Sequence, residues 1–294
     1  MERVTVRVPA TSANLAAGFD TLGCALTLYN TLSFSPAEKL SFSGCDEAYR
    51  NADNLAYQAF DCVYRHIGQK TPAVHIDISS QIPVSRGLGS SAALLAAGAA
   101  AANRMSGAGL DPDTLLLLTT RIEGHPDNLA PAFFGGLTAS MLEGERIYTM
   151  HYAPHPDLRF IVLSPDFPLS THAARAVLPA TVPHADAVYN GSHLAVLLRA
   201  LELGDMDAIS AALRDKLHQP YRTSLIDEYA DIQGIAAENG CHALCISGAG
   251  PTLLCLSMDK TLAERMRRDC QGLRHRWDVR DLQVDKAGAH ITVE

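Results

Sequence analysis

Between Pro83 and Gly98 the chain reads PVSRGLGSSAALLAAG. Two glycines and two serines fall within Gly87–Ser91, directly before a run of alanine and leucine. Glycine is a poor helix former and alanine the best, so this is a flexible loop feeding a helix start. A helix N-terminus presents unpaired N–H groups and a positive partial charge, and glycine lets a phosphate approach the backbone. Serine hydroxyls add donors or a magnesium ligand. The segment is therefore chemically suited to a triphosphate. Three readings compete on these residues alone. A P-loop needs GxxxxGK followed by Ser or Thr, and the segment has no lysine. Gly87-x-Gly89-x-x-Ala92 formally matches the dinucleotide fingerprint GxGxxG/A. That motif should follow its strand directly, whereas SSQIPVSR intervenes here and no acidic strand end follows. A plain glycine turn feeding a buried helix is the third reading.

Other chemistry-bearing residues are scattered. The seven cysteines include no CxxC pair, which fits reduced thiols in a cytosol and not a disulfide framework. His151 and His155 are four apart, but HYAPHP contains two prolines and reads as loop, not as a metal site. The formal charge is −8 with no basic cluster, which speaks against nucleic acid and anionic membrane. The charged start MERVTVRVPA is not a signal peptide, and the apolar run Ala92–Ala102 is too short to span a bilayer. The expected location is cytoplasmic.

The elements that must position these residues follow from patterning. VTVRVPA alternates as a strand ending at Pro9, and LGCALTLYNTLSFSP reads as a second. DNLAYQAFDCVYRHIG has helical spacing, with Asp53 as cap and Gly68 as stop. AVHIDIS is a strand. A helix runs from Ser90 to about Met105, and DPDTLLLLTTRIEG is another, capped by Asp111 with Pro112 in its first turn. FFGGLTASMLEGERIYTMHY reads as a glycine-bent strand pair, and APHPDL at 153–158 as a domain boundary. Beyond it RFIVLSP is a strand, THAARAVLP and VYNGSHLAVLLRALELGD are helices, and MDAISAALRDKLHQPYR is one further helix. CHALCISGAGPTLLCLS reads as two buried strands around a glycine turn, TLAERMRRDCQ as a helix and AHITVE as a last strand. Runs of strands mixed with helices point to α+β in two halves.

Pro83-x-x-x-Gly87-Leu88-Gly89-Ser90-Ser91-Ala92-Ala93 resembles the phosphate-binding motif of the GHMP kinases. PATSANLAAGFDTLG, from Pro9 to Gly23, is similar to the family's first motif in its homoserine form, and SGAGPT at Ser247–Thr252 to its third. EGHPDNLAPAFFGG (Glu123–Gly136), STHAAR near 170 and HQPYR near 218 resemble the same branch. One departure is Ala16, where the family usually has glycine. If that position needs positive φ, alanine costs about 1 kcal/mol, and a small loop adjustment is expected. The resemblance implies an α+β two-domain fold: residues 1–153 carrying the phosphate loop, residues 154–294 forming a ferredoxin-like sandwich, and a site in the cleft between them.

The resemblance also implies roles. Pro83, Val84, Ser85, Arg86, Gly87, Leu88, Gly89, Ser90, Ser91 and Ala92 would cradle ATP, with Ser91 and Glu123 as ligands of Mg2+. An amino-acid acceptor such as L-homoserine needs a planar two-nitrogen donor for its carboxylate, and Arg175 and Arg222 fall in the matching segments. Asn14 and Asp20 would meet its ammonium and hydroxyl. A carboxylate's ordinary pKa of about 4 makes Asp20 a weak base unless burial raises it, so it is expected to orient the hydroxyl. His125, Asn128 and Thr171 complete the substrate contacts, with Asp20, Glu123 and Asn128 as the catalytic set. The implied activity is ATP-dependent phosphorylation of L-homoserine, a step toward threonine. A kinase for another small alcohol and a silent nucleotide-binding relative are the alternatives. The presence of Ser91, Glu123, Asp20 and both arginines together argues against the silent form. The apolar strands of the second half could support a homodimer.

Overall fold

Alternation decides the first strand. In β1 (Val4–Ala13), Val4, Val6, Val8 and Ala10 point into the core, while Thr5 and Arg7 point away. β1 pairs antiparallel with the long β2 (Leu22–Pro36), with a register shift between Pro9 and Ala10. The computed structural model describes residues 2–294. β2 also pairs with β4 (Val74–Ser80) along its second half and with β5 (Leu137–Glu143) along its first. β3 (Ser41–Ser43) runs parallel to β4, and β6 (Arg146–Tyr152) forms a hairpin with β5.

Four helices share the core of this sheet: α1 (Leu55–His66), α2 (Ser90–Ser106), α3 (Pro112–Glu123) and α4 (Leu129–Phe134). Asn54, not the expected Asp53, caps α1, its side chain accepting from the Ala56 N–H. Asp111 caps α3 with Pro112 in the first turn, as expected. α2 lies at the centre, and every residue from Leu95 to Ala102 is buried. Its small side chains let α1 come very close. A Cβ on Gly98 would lie 2.0 Å from the Ala56 carbonyl oxygen.

The second sheet has the order β10-β7-β9-β8, all antiparallel: β7 (Arg159–Pro165), β8 (Leu244–Ile246), β9 (Leu253–Ser257) and β10 (Trp277–Leu282). With α9 (Tyr229–Glu238) between β7 and β8, and α10 (Leu262–Asp269) between β9 and β10, this is the ferredoxin-like arrangement. Ile161, Leu163, Leu253 and Cys255 face a core shared with α9 and α10. Phe160, Val162, Leu254 and Leu256 face the larger core with α6 (His184–Leu203) and α7 (Met206–Ala212). Burial on both faces explains why RFIVLSP and TLLCLS are continuous apolar runs.

The chain leaves the first sheet after Tyr152 and enters the second at Arg159, but it does not stay there. β11 (His290–Val293) returns to pair with β1, whose outer edge would otherwise stand open. Residues 154–294 are thus not confined to the second sheet. The single helix expected over MDAISAALRDKLHQPYR is broken: α7 ends at Ala212, and a separate turn, α8 (Gln219–Arg222), follows. Asp215 makes the break. Its carboxylate accepts from the backbone N–H groups of Leu217, His218 and Gln219. This folds the chain back, as short acidic side chains do in turns. α5 (Thr171–Ala176) is capped by Ser170.

Candidate active site

The glycine-rich loop meets α2 without a cap. Gly89 holds the N-cap position at φ +67° with no side-chain bond to the helix, so the first-turn N–H groups of Ser90, Ser91 and Ala92 are open to a ligand. Gly87 and Gly89 have no room for a side chain. A Cβ on Gly87 would sit 2.3 Å from the Ser247 carbonyl oxygen, and one on Gly89 would sit 1.9 Å from Thr11 Oγ1. Val84, Ser85, Arg86, Gly87, Gly89, Ser90 and Ser91 line a cavity of about 520 Å3. Leu88 and Ala92 are buried behind it as anchors, and Pro83 stands off its lining. Arg86 differs from the expectation of a nucleotide contact. Its guanidinium donates to the carbonyls of Val84, Pro165 and Asp166, tying the loop to the second sheet.

The first and third motifs clasp each other beside this loop. Ser247 Oγ donates to the Gly87 carbonyl at 2.7 Å, and the Gly248 N–H donates to the Ala13 carbonyl. Asn14 donates from Nδ2 to the Gly248 carbonyl at 2.7 Å and accepts the Asp20 N–H on Oδ1 at 3.0 Å. Asn14, Leu15, Ala16 and Asp20 all have positive φ, Ala16 at +59°. The alanine therefore does occupy the left-handed region.

On the far side of the loop Ser91 Oγ donates to Glu123 Oε1 at 2.5 Å. Burial pushes the Glu123 carboxyl above its usual range, against the Ser91 hydrogen bond and the His125 charge. No lysine or arginine side chain bonds it. Two hard oxygen donors next to a phosphate cradle, one of them a buried carboxylate, fit a magnesium ion. Among the described residues no cluster of three or more His, Cys, Asp or Glu is placed to hold a metal by itself. His125 bonds Asp127 through Nδ1 at 2.6 Å. Burial alone would lower the His125 pKa, but the bond and charge of Asp127 outweigh it and raise it. Asn128 Oδ1 accepts from Thr11 Oγ1 at 2.7 Å and its Nδ2 donates to Asp127 Oδ1 at 3.4 Å, with the residue lining the cavity.

The two arginines arrive from different elements. Arg175, in the last turn of α5, forms a two-nitrogen pair with Asp20 at 2.7 and 3.0 Å. Arg222, at the end of α8, is 1% exposed. Its Nε donates to the Ala174 carbonyl at 3.0 Å, and its Nη1 to the Gly248 carbonyl and to His218 Nδ1, both at 3.2 Å. Nη2 makes no bond to the described residues. Arg222 therefore offers one nitrogen to a ligand, not the two-nitrogen fork expected from sequence. Burial, and then the charge of Arg175, disfavour its cation, so an anion at Nη2 would relieve both. Thr171, exposed at the start of α5, lines the same cavity.

Sequence reasoning missed Thr11, Phe19, Asp127 and His218, and the cavity wall formed by Cys45, Tyr49 and Asn54. Each is an unremarkable residue type whose role depends on what the fold sets opposite it. HQPYR did carry a signal for His218, but only the turn made by Asp215 shows where the ring points.

Two family models match: "GHMP kinases N terminal domain" over residues 54–136 and "GHMP kinases C terminal" over residues 197–272. A homoserine kinase of Clostridium botulinum (strain 657 / Type Ba4) is 41% identical over 291 residues, covering 98% of each chain. A homoserine kinase of Gloeobacter violaceus is 46% identical over 260 residues, covering 86% of this chain and 87% of that one. The crystal structure of homoserine kinase from Cytophaga hutchinsonii superposes with a TM-score of 0.89 at 24% identity, covering 99% of this chain and 98% of that one, a likeness of fold. With the phosphate loop, the clasped motifs and the two-sheet architecture in place, the chain belongs to the GHMP kinase family, and it is an ATP-dependent kinase.

Proposed function

We propose that the protein transfers the γ-phosphate of ATP to the side-chain hydroxyl of L-homoserine, giving O-phospho-L-homoserine, a step toward threonine carried out in the cytoplasm. The observation that carries this reading is the Asp20–Arg175 pair lining the same cavity as Nη2 of Arg222 and the phosphate loop. The pair is closed on itself. A zwitterion can exchange with it charge for charge, its ammonium taking Asp20 and its carboxylate taking Arg175 and Arg222. A neutral sugar would bring no anion to Arg222 and no charge to exchange with the pair. Curated homoserine kinases at 41–46% identity support the same acceptor.

Phosphoryl transfer asks mainly for positioning and charge neutralisation. The uncapped amides of Ser90, Ser91 and Ala92 hold phosphate oxygens, and Gly87 and Gly89 let them approach. Ser91 and Glu123 would hold Mg2+, which when bound neutralises charge on the phosphates. Asp20 meets the acceptor's ammonium and orients its hydroxyl once the substrate carboxylate has taken over Arg175. Asn128 and His125, both held by Asp127, face the transferring group, and Thr171 contacts the substrate. Asn14 acts through the clasp, keeping Asp20 in place. In this reading residues 1–153 supply the cradle and residues 154–294 supply the arginines and SGAGPT, the last strand serving the first sheet.

Charge-deleted analogues test this. 4-Hydroxybutyrate lacks the ammonium and 3-amino-1-propanol lacks the carboxylate. Each analogue forfeits one side of that exchange, so kcat/KM for each should fall by about tenfold or more from that of L-homoserine, the worth of one charged hydrogen bond. Turnover of either analogue at a comparable kcat/KM would sink the zwitterion reading.

A further inference from the structure

We propose that His218 is a positioning residue for Arg222: a neutral imidazole, locked in one tautomer by the Ala16 carbonyl, whose Nδ1 lone pair holds the guanidinium so that Nη2 alone is left to meet the cavity. The inference rests on the reading of Arg222 as a ligand of the substrate carboxylate.

The ring is fully buried and stacks on Phe19, with centroids 4.9 Å apart and planes 18° apart. The Arg222 guanidinium carbon lies 5.2 Å from the centre of the same phenyl ring. Nε2 of His218 is 2.9 Å from the Ala16 carbonyl oxygen, which can only accept, so the proton sits on Nε2. Nδ1 is then a lone pair, and it faces Arg222 Nη1 at 3.2 Å. The other tautomer would set an N–H against the guanidinium and a lone pair against a carbonyl. The charged groups about the ring are Asp215, Arg222 and Asp20. Asp215 lies 3.6 Å from Nε2, but its oxygens are taken by three backbone N–H groups and by Asn190 Nδ2. It therefore does not compete with Ala16 for the ring proton. The histidine thus joins the left-handed turn of the first motif to the arginine of α8, two segments about 200 residues apart that must agree within a hydrogen bond.

Two substitutions separate the ring's two edges. Asparagine places an acceptor near the Nδ1 position, and glutamine places its amide near Nε2. With the acceptor lost, His218→Gln should raise KM for L-homoserine roughly tenfold. KM for ATP should stay close to the wild-type value, and kcat should fall by less than about threefold on the same grounds. His218→Asn should recover most of the loss. Equal effects of the two variants on KM, or a fall confined to kcat, would overturn the proposal. A measurement on the unaltered protein does not depend on how the variants fold. In 15N-histidine NMR at pH 7, His218 should show a protonated Nε2 and an unprotonated Nδ1. An imidazolium or an Nδ1–H tautomer would refute the lock. If the wild-type protein releases no ADP with L-homoserine while the ring shows the expected tautomer, the substrate reading has failed and the anchoring of Arg222 has not.

Discussion

Single residues in this site are held by what they oppose. Gly89 must be glycine because Thr11 Oγ1 and Asn128 Oδ1 crowd the place its side chain would take. Ala16 tolerates φ +59° at a cost of about 1 kcal/mol, offset in part by the bond its carbonyl accepts from His218. The same histidine gives the protein a pH signature. Burial, the largest influence, pulls its pKa from 6.5 down to about 4. The unfolded chain then binds a proton that the folded chain refuses throughout that interval. Stability therefore rises with pH across it, and is lost as pH falls from about 6.5 towards 4. In urea melts the wild-type protein should lose stability over this window more steeply than His218→Asn. Parallel curves for the two would show that the ring is not neutral in the folded state.

At the scale of elements, what matters is how closely helices and loops approach. The phosphate loop works because α2 presents its bare N-terminus to the cavity, and α2 is held there by α1 across Gly98. Gly98→Ala gains helix propensity of about 1 kcal/mol, but its Cβ would fall 2.0 Å from the backbone oxygen of Ala56. Overpacking against backbone costs about 1–3 kcal/mol, so the net change should be destabilising. Gly191→Ala is the matched control. That glycine lies within α6, and its Cβ would meet nothing within 4 Å, so the substitution should stabilise by a few tenths to about 1 kcal/mol. Thermal melts of the pair should move in opposite directions; a Gly98→Ala protein as stable as wild type would contradict the close approach. These elements differ in how plainly sequence announces them. β1 carries its alternation and α3 its cap and stop in their own residues, such as Asp111, Pro112 and Gly124. α4, with Pro131 inside it, and the broken stretch from Met206 to Arg222 do not. Asp215 reads as one more polar helix residue until three N–H groups are seen to converge on it. The placement of Arg222 was for the same reason hidden, although its presence in HQPYR was plain.

For the whole molecule, two sheets that share the larger core are also joined at the site by hydrogen bonds between distant motifs: Ser247 to Gly87, Asn14 to Gly248, and Arg86 to Pro165 and Asp166. The glycine-rich loop, the first motif and SGAGPT were each legible as segments, but their mutual clasp was not, because it depends on the turn between β8 and β9 of the second sheet docking against the first. The clasp sets a phosphate cradle, a Ser91–Glu123 oxygen pair and a closed Asp20–Arg175 pair along one cavity. The central claim is that this assembly selects one amino-alcohol as phosphoryl acceptor. ADP release by the purified protein with ATP and Mg2+, across L-homoserine, mevalonate, galactose, L-serine and L-threonine, tests it most directly. The account predicts release that depends on L-homoserine and is largely lost in Arg222→Ala. Equal release with mevalonate or galactose, or none with any acceptor, would contradict it.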